Sequence, residues 1–517
     1  MILRVGGSSP LDYPPRGQKQ EIPVFVLFFM PSKLLCNHAT TGKMKYKRQY
    51  TFLGFLVAML FFASCSKKDT VAPSQLSVSS SEELFTADGG TSEVTVSSNV
   101  KWSISNSAAW CAATASSTAG NGKISLNVQS NPATSERSVV ISVTAVSISK
   151  EIKVRQLGKA ISDSIPADAT GMSSNAVQLA AKIKLGLNIG NTLEAIGSET
   201  AWGNPKVTKA FIDLAKQSGF NAIRIPCSWD QYSNASAQIK TEWLNRVKEV
   251  VQYCVDDSVY AILNIHWDGG WLENNCTTAK QDAVNIKQKA FWKQIAATMR
   301  DFDEHLLFAS ANEPNVDNAQ QMAVLLSYHQ TFIDAVRSTG GRNAYRVLVV
   351  QGPSTDIDKT NTLMNTLPVD RVGNRMMVEV HYYSPYQFCL MTEDASWGIM
   401  FYYWGNGYHS ATDPSRNANW GEETYIDDEF RKMKTQFVDK GIPVVLGEFD
   451  AMHRSSLTGD ALTLHLASRA YYLKYITKQA KANGILPFYW DTGGLLSRQN
   501  NTELDQQALT GLLEGAQ

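Results

Sequence analysis

From about residue 176 onward, short apolar runs alternate with helical patterns eight times over, and no other feature constrains the chain as tightly. The runs are Ile183–Ile189, Ala222–Pro226, Val259–Ile265, Leu306–Ala309, Arg346–Val350, Met376–Val380, Pro443–Leu446 and Leu486–Tyr489. Between them lie patterns such as Leu244, Val247, Val250, Val251 and Cys254, whose i, i+3, i+4 spacing places them on one helix face. Gly219, just past the helical stretch Val207–Gln217, is a helix-ending glycine. Continuous apolar runs mark strands covered on both faces, and strand–helix alternation predicts parallel pairing. Eight such units over roughly 340 residues suit a closed (β/α)8 TIM barrel. An open doubly wound sheet is the alternative, but the chain has no G-x-G-x-x-G or Walker loop.

Barrel enzymes build their sites at the C-terminal ends of the strands. Here the second run ends in Arg224, the third in His266, and the fourth in Asn312-Glu313-Pro314. The sixth ends in His381 with Tyr383 two further on, the seventh in Glu448, and the eighth in Trp490. Any one of these could be a satisfied structural residue; so many on one rim point to chemistry. Strands four and seven face each other across a barrel, so Glu313 and Glu448 are candidates for the carboxyl pair of glycoside hydrolysis. One carboxyl must donate a proton to the leaving oxygen while the other, ionised, attacks the anomeric carbon. Arg224 and Tyr383 are expected to keep Glu448 charged, through an opposite charge and a hydrogen bond. Glu313 then serves as acid and later as base, and Asn312 is placed to bond the sugar 2-hydroxyl. Lys+Arg and Asp+Glu are both 48, so no excess of positive charge points to nucleic acid, and a neutral glycan fits at least as well. No cofactor is implied. The 8 His form no H-E-x-x-H spacing and no metal site is expected, while a serine-esterase elbow is absent.

The order Arg224, His266, Asn312-Glu313-Pro314, His381-x-Tyr383, Glu448, Trp490 resembles glycoside hydrolase family 5. That resemblance implies a retaining barrel with Glu313 as acid/base, Glu448 as nucleophile and Trp490 as floor of the −1 subsite. Gly190-Asn191-Thr192-Leu193-Glu194 and Ala201-Trp202-Gly203-Asn204-Pro205 are similar to its endo-β-1,4-glucanase branch, which implies xyloglucan or mixed-linkage β-glucan as substrate and Asn191 as a contact. The chain departs from that branch at Gly186-Leu187-Asn188, where Gly-Trp-Asn is common, and at His266-Trp267-Asp268, where His-His-Asp is common. Both departures bear on substrate preference. Trp267 and Trp271 are read as an aromatic platform. The long segment from Ser384 to about Asp427 carries ten aromatics, among them Trp397, Trp404 and Trp420, and is read as a wall of the positive subsites with Trp404 as a contact. A self-packed flap is the other reading of that loop. Asp268, Asp450 and Asp491 are expected to support the rim rather than react. A β-mannanase, and a glycan-binding protein on an inactive barrel, are the rival functions.

Ahead of the barrel, residues 75–158 are rich in Ser, Thr, Val and Asn and show short period-2 runs such as Ser138-Val139-Val140-Ile141-Ser142-Val143. They predict an immunoglobulin-like β-sandwich. Gly89-Gly90, Ser98-Asn99-Val100-Lys101-Trp102, Trp110, Gly120-Asn121 and Val154-Arg155-Gln156-Leu157-Gly158 resemble the BACON domain of Bacteroidetes carbohydrate-active proteins. Trp102 and Trp110 are either a sugar-stacking face or core residues of a spacer, and the spacer is favoured. Residues 159–175 read as linker. Residues 44–65 read as a lipoprotein signal peptide: a basic start, an apolar run of about a dozen residues too short to span a bilayer, and Phe62-Ala63-Ser64-Cys65 as a lipobox. Cys65 is then acylated, and the chain is expected as a lipid-anchored monomer of the bacterial outer membrane, at the cell surface or on the periplasmic face. Residues 1–43 read as a gene-model extension. Cys111, Cys227, Cys254, Cys276 and Cys389 show no paired spacing and are expected as buried free thiols.

Overall fold

A computed structural model describes residues 73–106, 108–133, 136–158 and 164–517. The expected signal peptide with Cys65, and the stretch 1–43, lie outside the described residues.

The N-terminal part is a sandwich of two four-stranded sheets. One sheet runs in the order Leu76–Val78, Gly90–Ser98, Gly122–Val128, Cys111–Ala115; the other runs Glu82–Phe85, Ile148–Gln156, Arg137–Ala145, Ser103–Ser105. Strict alternation supplies the core: Val94, Val96, Ile124, Leu126, Ile141, Val143, Ile152 and Val154 all point inward and are fully buried. Trp102 belongs to that core and donates its indole N–H to the Gly120 carbonyl at 2.8 Å, so it offers no face to a sugar. Trp110 is half-buried with the Arg137 guanidinium 4.4 Å over its ring.

Eight parallel strands then close into a barrel: Gly186–Ile189, Ala222–Ile225, Tyr260–Asn264, Leu306–Ala309, Leu348–Gln351, Met376–Tyr382, Val444–Phe449 and Ile485–Asp491. All eight fall on the expected runs. Alternate side chains face the barrel axis. Its lower half is filled by Ala222, Ile262, Leu307, Ala309, Val349, Met377, Val445 and Phe488. Gly186 is part of that fit, because a Cβ there would lie 2.0 Å from the Phe488 ring. The helix Ala176–Ala180 closes the floor with Leu179, its first turn held by an Asn175–Gln178 capping box.

The stretch expected as linker is partly barrel. Ile165–Ala167 pairs in parallel with Gly340–Gly341, Met172 is buried with its carbonyl accepting from Arg375 at 3.0 Å, and Ser174 N–H donates to Glu304 at 2.9 Å. Polar composition hid this docking, since the segment attaches through its backbone rather than through an apolar face.

One irregularity decides the site. In the seventh strand Val444 and Leu446 face the surrounding helices and Val445 faces the axis, so strict alternation would turn Glu448 outward. Pairing shifts register here: Val380 faces Leu446 but His381 faces Glu448, which leaves Gly447 as an extra residue. This bulge inverts the phase, sending Phe449 into the outer core and Glu448 into the barrel mouth.

Candidate active site

Above the apolar plug, the same inward positions become polar. Asn188, Arg224, Asn264, Gln351 and Glu379 are all fully buried, one from each of five strands. Arg224 organises them. Its Nη1 donates to Asn188 Oδ1 at 2.9 Å and to Glu448 Oε1 at 2.8 Å. Its Nη2 donates to Asn312 Oδ1 at 2.8 Å and meets Glu379 Oε1 at 2.9 Å. A charge this deep persists only when paired and hydrogen-bonded, and Arg224 has two carboxylates and two amide oxygens around it.

The catalytic candidates sit on this layer. Glu448 accepts from Arg224 on one oxygen and from the Tyr383 hydroxyl on the other, at 3.0 Å. Burial pushes the Glu448 carboxyl above its ordinary range; His381 and Arg224 pull against that, Glu313 adds to it, and Tyr383 opposes it. Glu313, at the fourth strand's end, shares a 2.7 Å hydrogen bond with His381 Nδ1, and that nitrogen lies 3.7 Å from Glu448 Oε2. His381 Nε2 faces Glu379 Oε1 at 3.1 Å. Burial alone would lower the His381 pKa, but Glu448, Glu313 and Glu379 outweigh it and carry the ring to about 9. Donor atoms of Glu313, His381 and Glu448 all lie within 4.8 Å of one another. Each is already engaged by the others or by Glu379, Arg224 and Tyr383, so the trio reads as an acid–base constellation rather than a set of metal ligands.

Two further groups face the same space. Asn312 spends its carbonyl oxygen on Arg224, leaving its buried Nδ2 without a protein partner and free to donate. His266 stacks on Trp490 with centroids 5.6 Å apart and planes 8° from parallel. Burial, with Arg224 and His381 nearby, holds His266 well below its usual pKa and therefore neutral. Trp490 is half-buried, and Gly190 allows the chain to lie against it, since a Cβ there would come within 2.8 Å of the indole. Asn191 sits at φ 57° in a turn whose buried Glu194 carboxylate accepts from Thr192 N–H at 2.9 Å and also from the Asn191 N–H.

The aromatic expectations divide. Trp267 and Trp271 are half-buried at the third strand's end, and Trp271 is fixed by its indole N–H donating to Asp268 at 2.9 Å and by Lys287 at 4.8 Å from its ring. Trp404 is corrected: it is fully buried, packs edge-on against Tyr472, and donates to the Gly421 carbonyl at 2.9 Å, so it cannot stack on a sugar. With Phe401 and Tyr403 it forms the interior of a self-packed flap, pinned by Arg454 on the carbonyls of Gln387, Met391 and Phe401. Only the outer face of this loop is aromatic and open, at Trp397 and Trp420. Asp268 supports Trp271 and the Asp230 N–H, Asp450 meets Arg469 at 3.3 Å, and Asp491 accepts from three backbone N–H groups, all as expected of rim support. The five cysteines are buried and free.

Sequence reasoning passed over Glu379, Gln351, Glu273 and Gly447. Gln351 donates to Glu379 at 2.8 Å and accepts from Ala311 N–H at 2.8 Å, linking the fourth strand's end to the buried carboxylate. Glu273 accepts from Glu313 N–H at 2.7 Å, and its carboxyl is pushed by burial to about 8. Gly447 touches Glu379: a Cβ would lie 2.1 Å from Oε1. One signal was available. Glu379 precedes His381 by two residues in a buried strand, and so must share its face.

Residues 188–495 match the cellulase family, glycosyl hydrolase family 5, and residues 100–157 match BACON, a putative N-terminal binding domain. The chain is 36% identical to the xyloglucan-specific endo-beta-1,4-glucanase of Bacteroides ovatus, over 84% of its own length and 89% of that protein's. A solved Bacteroides ovatus GH5 xyloglucanase in complex with a XXXG heptasaccharide is 33% identical and covers 86% of this chain and 100% of its own, with a TM-score of 0.65. A family 5 xyloglucanase from Paenibacillus pabuli is 35% identical over 66% of this chain and 100% of its own, with a TM-score of 0.61. Barrel, rim chemistry and relatives agree: this chain belongs to glycosyl hydrolase family 5.

Proposed function

We propose that this protein is a retaining endo-β-1,4-glucanase of plant cell-wall glucans, with xyloglucan its preferred substrate. The observation that carries the mechanism is the separation of the two glutamates. A donor oxygen of Glu313 lies within 4.8 Å of one of Glu448. A retaining pair needs about 5–5.5 Å between carboxyls, whereas an inverting pair needs about 6.5–9.5 Å to admit a water.

Glu448 attacks the anomeric carbon and forms a glycosyl ester as the C–O bond to the leaving sugar breaks. Glu313 delivers a proton to that leaving oxygen. Water then attacks the same carbon from the vacated side, gives its proton to Glu313, and releases Glu448 as carboxylate. Asn312 Nδ2 donates to the 2-hydroxyl of the reacting sugar, neutral His266 to a further hydroxyl, and Trp490 carries the ring face. The xyloglucan preference is supported by the relatives above, which are named for it. Of the two departures, Leu187 is fully buried in the core between the barrel and its helices and reaches no sugar, so the expectation for that position is corrected, and half-buried Trp267 is the position where this chain would differ in fine preference.

Reducing-sugar release from xyloglucan, barley β-glucan, carboxymethylcellulose and galactomannan tests the substrate, and the anomeric configuration of the first product, followed by NMR, tests the stereochemistry. Xyloglucan should be cut fastest, with a β-anomer first. A faster galactomannan would move the enzyme to the mannanase reading, an α-anomer would sink the retaining mechanism, and binding without turnover would leave a glycan-binding protein.

We infer further that the protein is an outer-membrane lipoprotein held by acyl-Cys65, a monomer, with the sandwich as spacer. Surface cleavage of a polymer before import is the role that fits this placement. Cys65→Ala should release the enzyme from the membrane fraction; if it stays bound, the anchor is elsewhere.

A further inference from the structure

Glu379 is fully buried away from solvent, yet it contacts Arg224 and His381, which in turn contact the two glutamates. Its Oε1 meets Arg224 Nη2 at 2.9 Å and His381 Nε2 at 3.1 Å, and its Oε2 accepts from Gln351 at 2.8 Å. Burial works against its charge, but Arg224, His381 and Gln351 together hold the carboxyl below its ordinary range. It is therefore an ionised acceptor, and an acceptor facing His381 Nε2 requires a hydrogen on that nitrogen. The tautomer is thereby fixed. Only one proton can then lie in the 2.7 Å contact between His381 Nδ1 and Glu313 Oε1. Written as Glu313–OH with neutral His381, or as Glu313 carboxylate with imidazolium, the proton count is the same. The pair holds one acid proton.

Resting on the reading of Glu313 as acid/base, we propose that Glu379 is a positioning residue that sets the tautomer of His381 and keeps the acid proton on the His381–Glu313 pair through neutral pH. Facing His381 are Glu379 from its own strand, Glu313 after the fourth, Glu448 from the seventh, His266 after the third and Glu273 from the loop that follows, while Arg224 from the second strand and Tyr383 just past the sixth bond its partners Glu379 and Glu448. Glu448, Glu313 and Glu379 favour the protonated ring, and burial opposes it. Because the His381 pKa is raised, its proton is present below that value and lost as pH rises through it. Among the groups that hold it, Glu379 is the one that never takes part in bond making.

The test is Glu379→Gln in the full-length protein, with kcat/KM for xyloglucan followed across pH. The basic limb should move down by about one pH unit or more, because a negative charge that favoured the proton is gone. A 2,4-dinitrophenyl β-cellobioside, whose leaving group needs no proton, should lose roughly tenfold less rate in forming the glycosyl–enzyme than xyloglucan loses. An unmoved limb, or equal losses on both substrates, would mean a merely structural role and overturn the proposal. Should the variant fail to fold, ¹⁵N shifts of His381 in the unaltered protein decide: Nε2 protonated throughout the neutral range supports the proposal, and Nε2 bare overturns it. Labelling of unaltered protein by a 2-fluoro glycoside checks the underlying reading separately. Absence of label on Glu448 means that reading has failed, whatever Glu379 does.

Discussion

The interior of the barrel is made of two materials stacked along one axis. Following the sixth strand upward, the inward residues are Met377, Glu379 and His381. Met377 lies in an apolar plug with Phe488, Leu307 and Val445. Two residues higher, Glu379 is equally buried but sits in a lattice of ion pairs and amide bonds. The lower half obtains its stability from burial and packing, which are tolerant of detail. The upper half removes charges from water, and the pairing roughly compensates that cost without adding stability. Its return is geometric: Arg224 bonds four residues on different elements and so fixes where Glu448 and Asn312 point. Lower-half changes should therefore cost stability, and upper-half changes should cost rate.

The widest separation between the halves should come at the glutamates. Glu448→Ala should lower kcat on xyloglucan by roughly 10⁴-fold or more, as loss of a nucleophile does, while Glu313→Ala should lose roughly 10²–10⁴-fold. Melting temperatures should move little in either. A large drop in melting temperature with modest rate loss would erase the distinction. Gly447→Ala comes next. Its Cβ would meet Glu379 Oε1 at 2.1 Å, so Glu379 and the bulge carrying Glu448 must shift. A displacement near 1 Å costs about 10²-fold in rate, measurable as kcat/KM on β-glucan with circular dichroism confirming the fold.

The same division governs what could be read beforehand. All eight strands were legible because buried parallel strands are written as apolar runs, and the functional rim because it follows each run. The phase of Glu448 was not legible, since a bulge is a departure from alternation and Gly447 gives only a weak hint of it. Glu379 was hidden inside an apolar run, where one charge looks like noise until its partner Arg224 is found on another strand. Trp404 failed for a related reason. Composition counts aromatics in a loop but does not say which face inward, and Tyr471, Tyr472 and Tyr475, from a helix some seventy residues later, close around it. The docking of Ile165–Ala167 was invisible because backbone pairing needs no particular side chain.

Met377→Ala tests the lower half directly. It removes a fully buried side chain from the plug and should cost about 2–5 kcal/mol of unfolding free energy in urea titrations, with kcat/KM within about twofold and both pH limbs in place. A shifted limb would mean that the plug sets charge positions above it, and that the halves are not independent.

Tyr383→Phe makes the smallest change to the upper half and tests it most finely. The mutation deletes one hydroxyl that donates to Glu448 Oε2 at 3.0 Å and leaves the ring. Burial already raises the Glu448 carboxyl, and the Tyr383 hydrogen bond acts against that rise. Removing it should lift the value further. Attack needs the ionised carboxylate, which is present above that pKa and lost as pH falls through it. The acid limb of kcat/KM must therefore move up, by about half to one pH unit for a hydrogen bond near 1 kcal/mol. On the plateau the rate should fall about tenfold or less, since Arg224 still holds Oε1. If the acid limb stayed fixed while the plateau fell, Tyr383 would be contacting the sugar rather than tuning the nucleophile, and the charge lattice would end at Arg224.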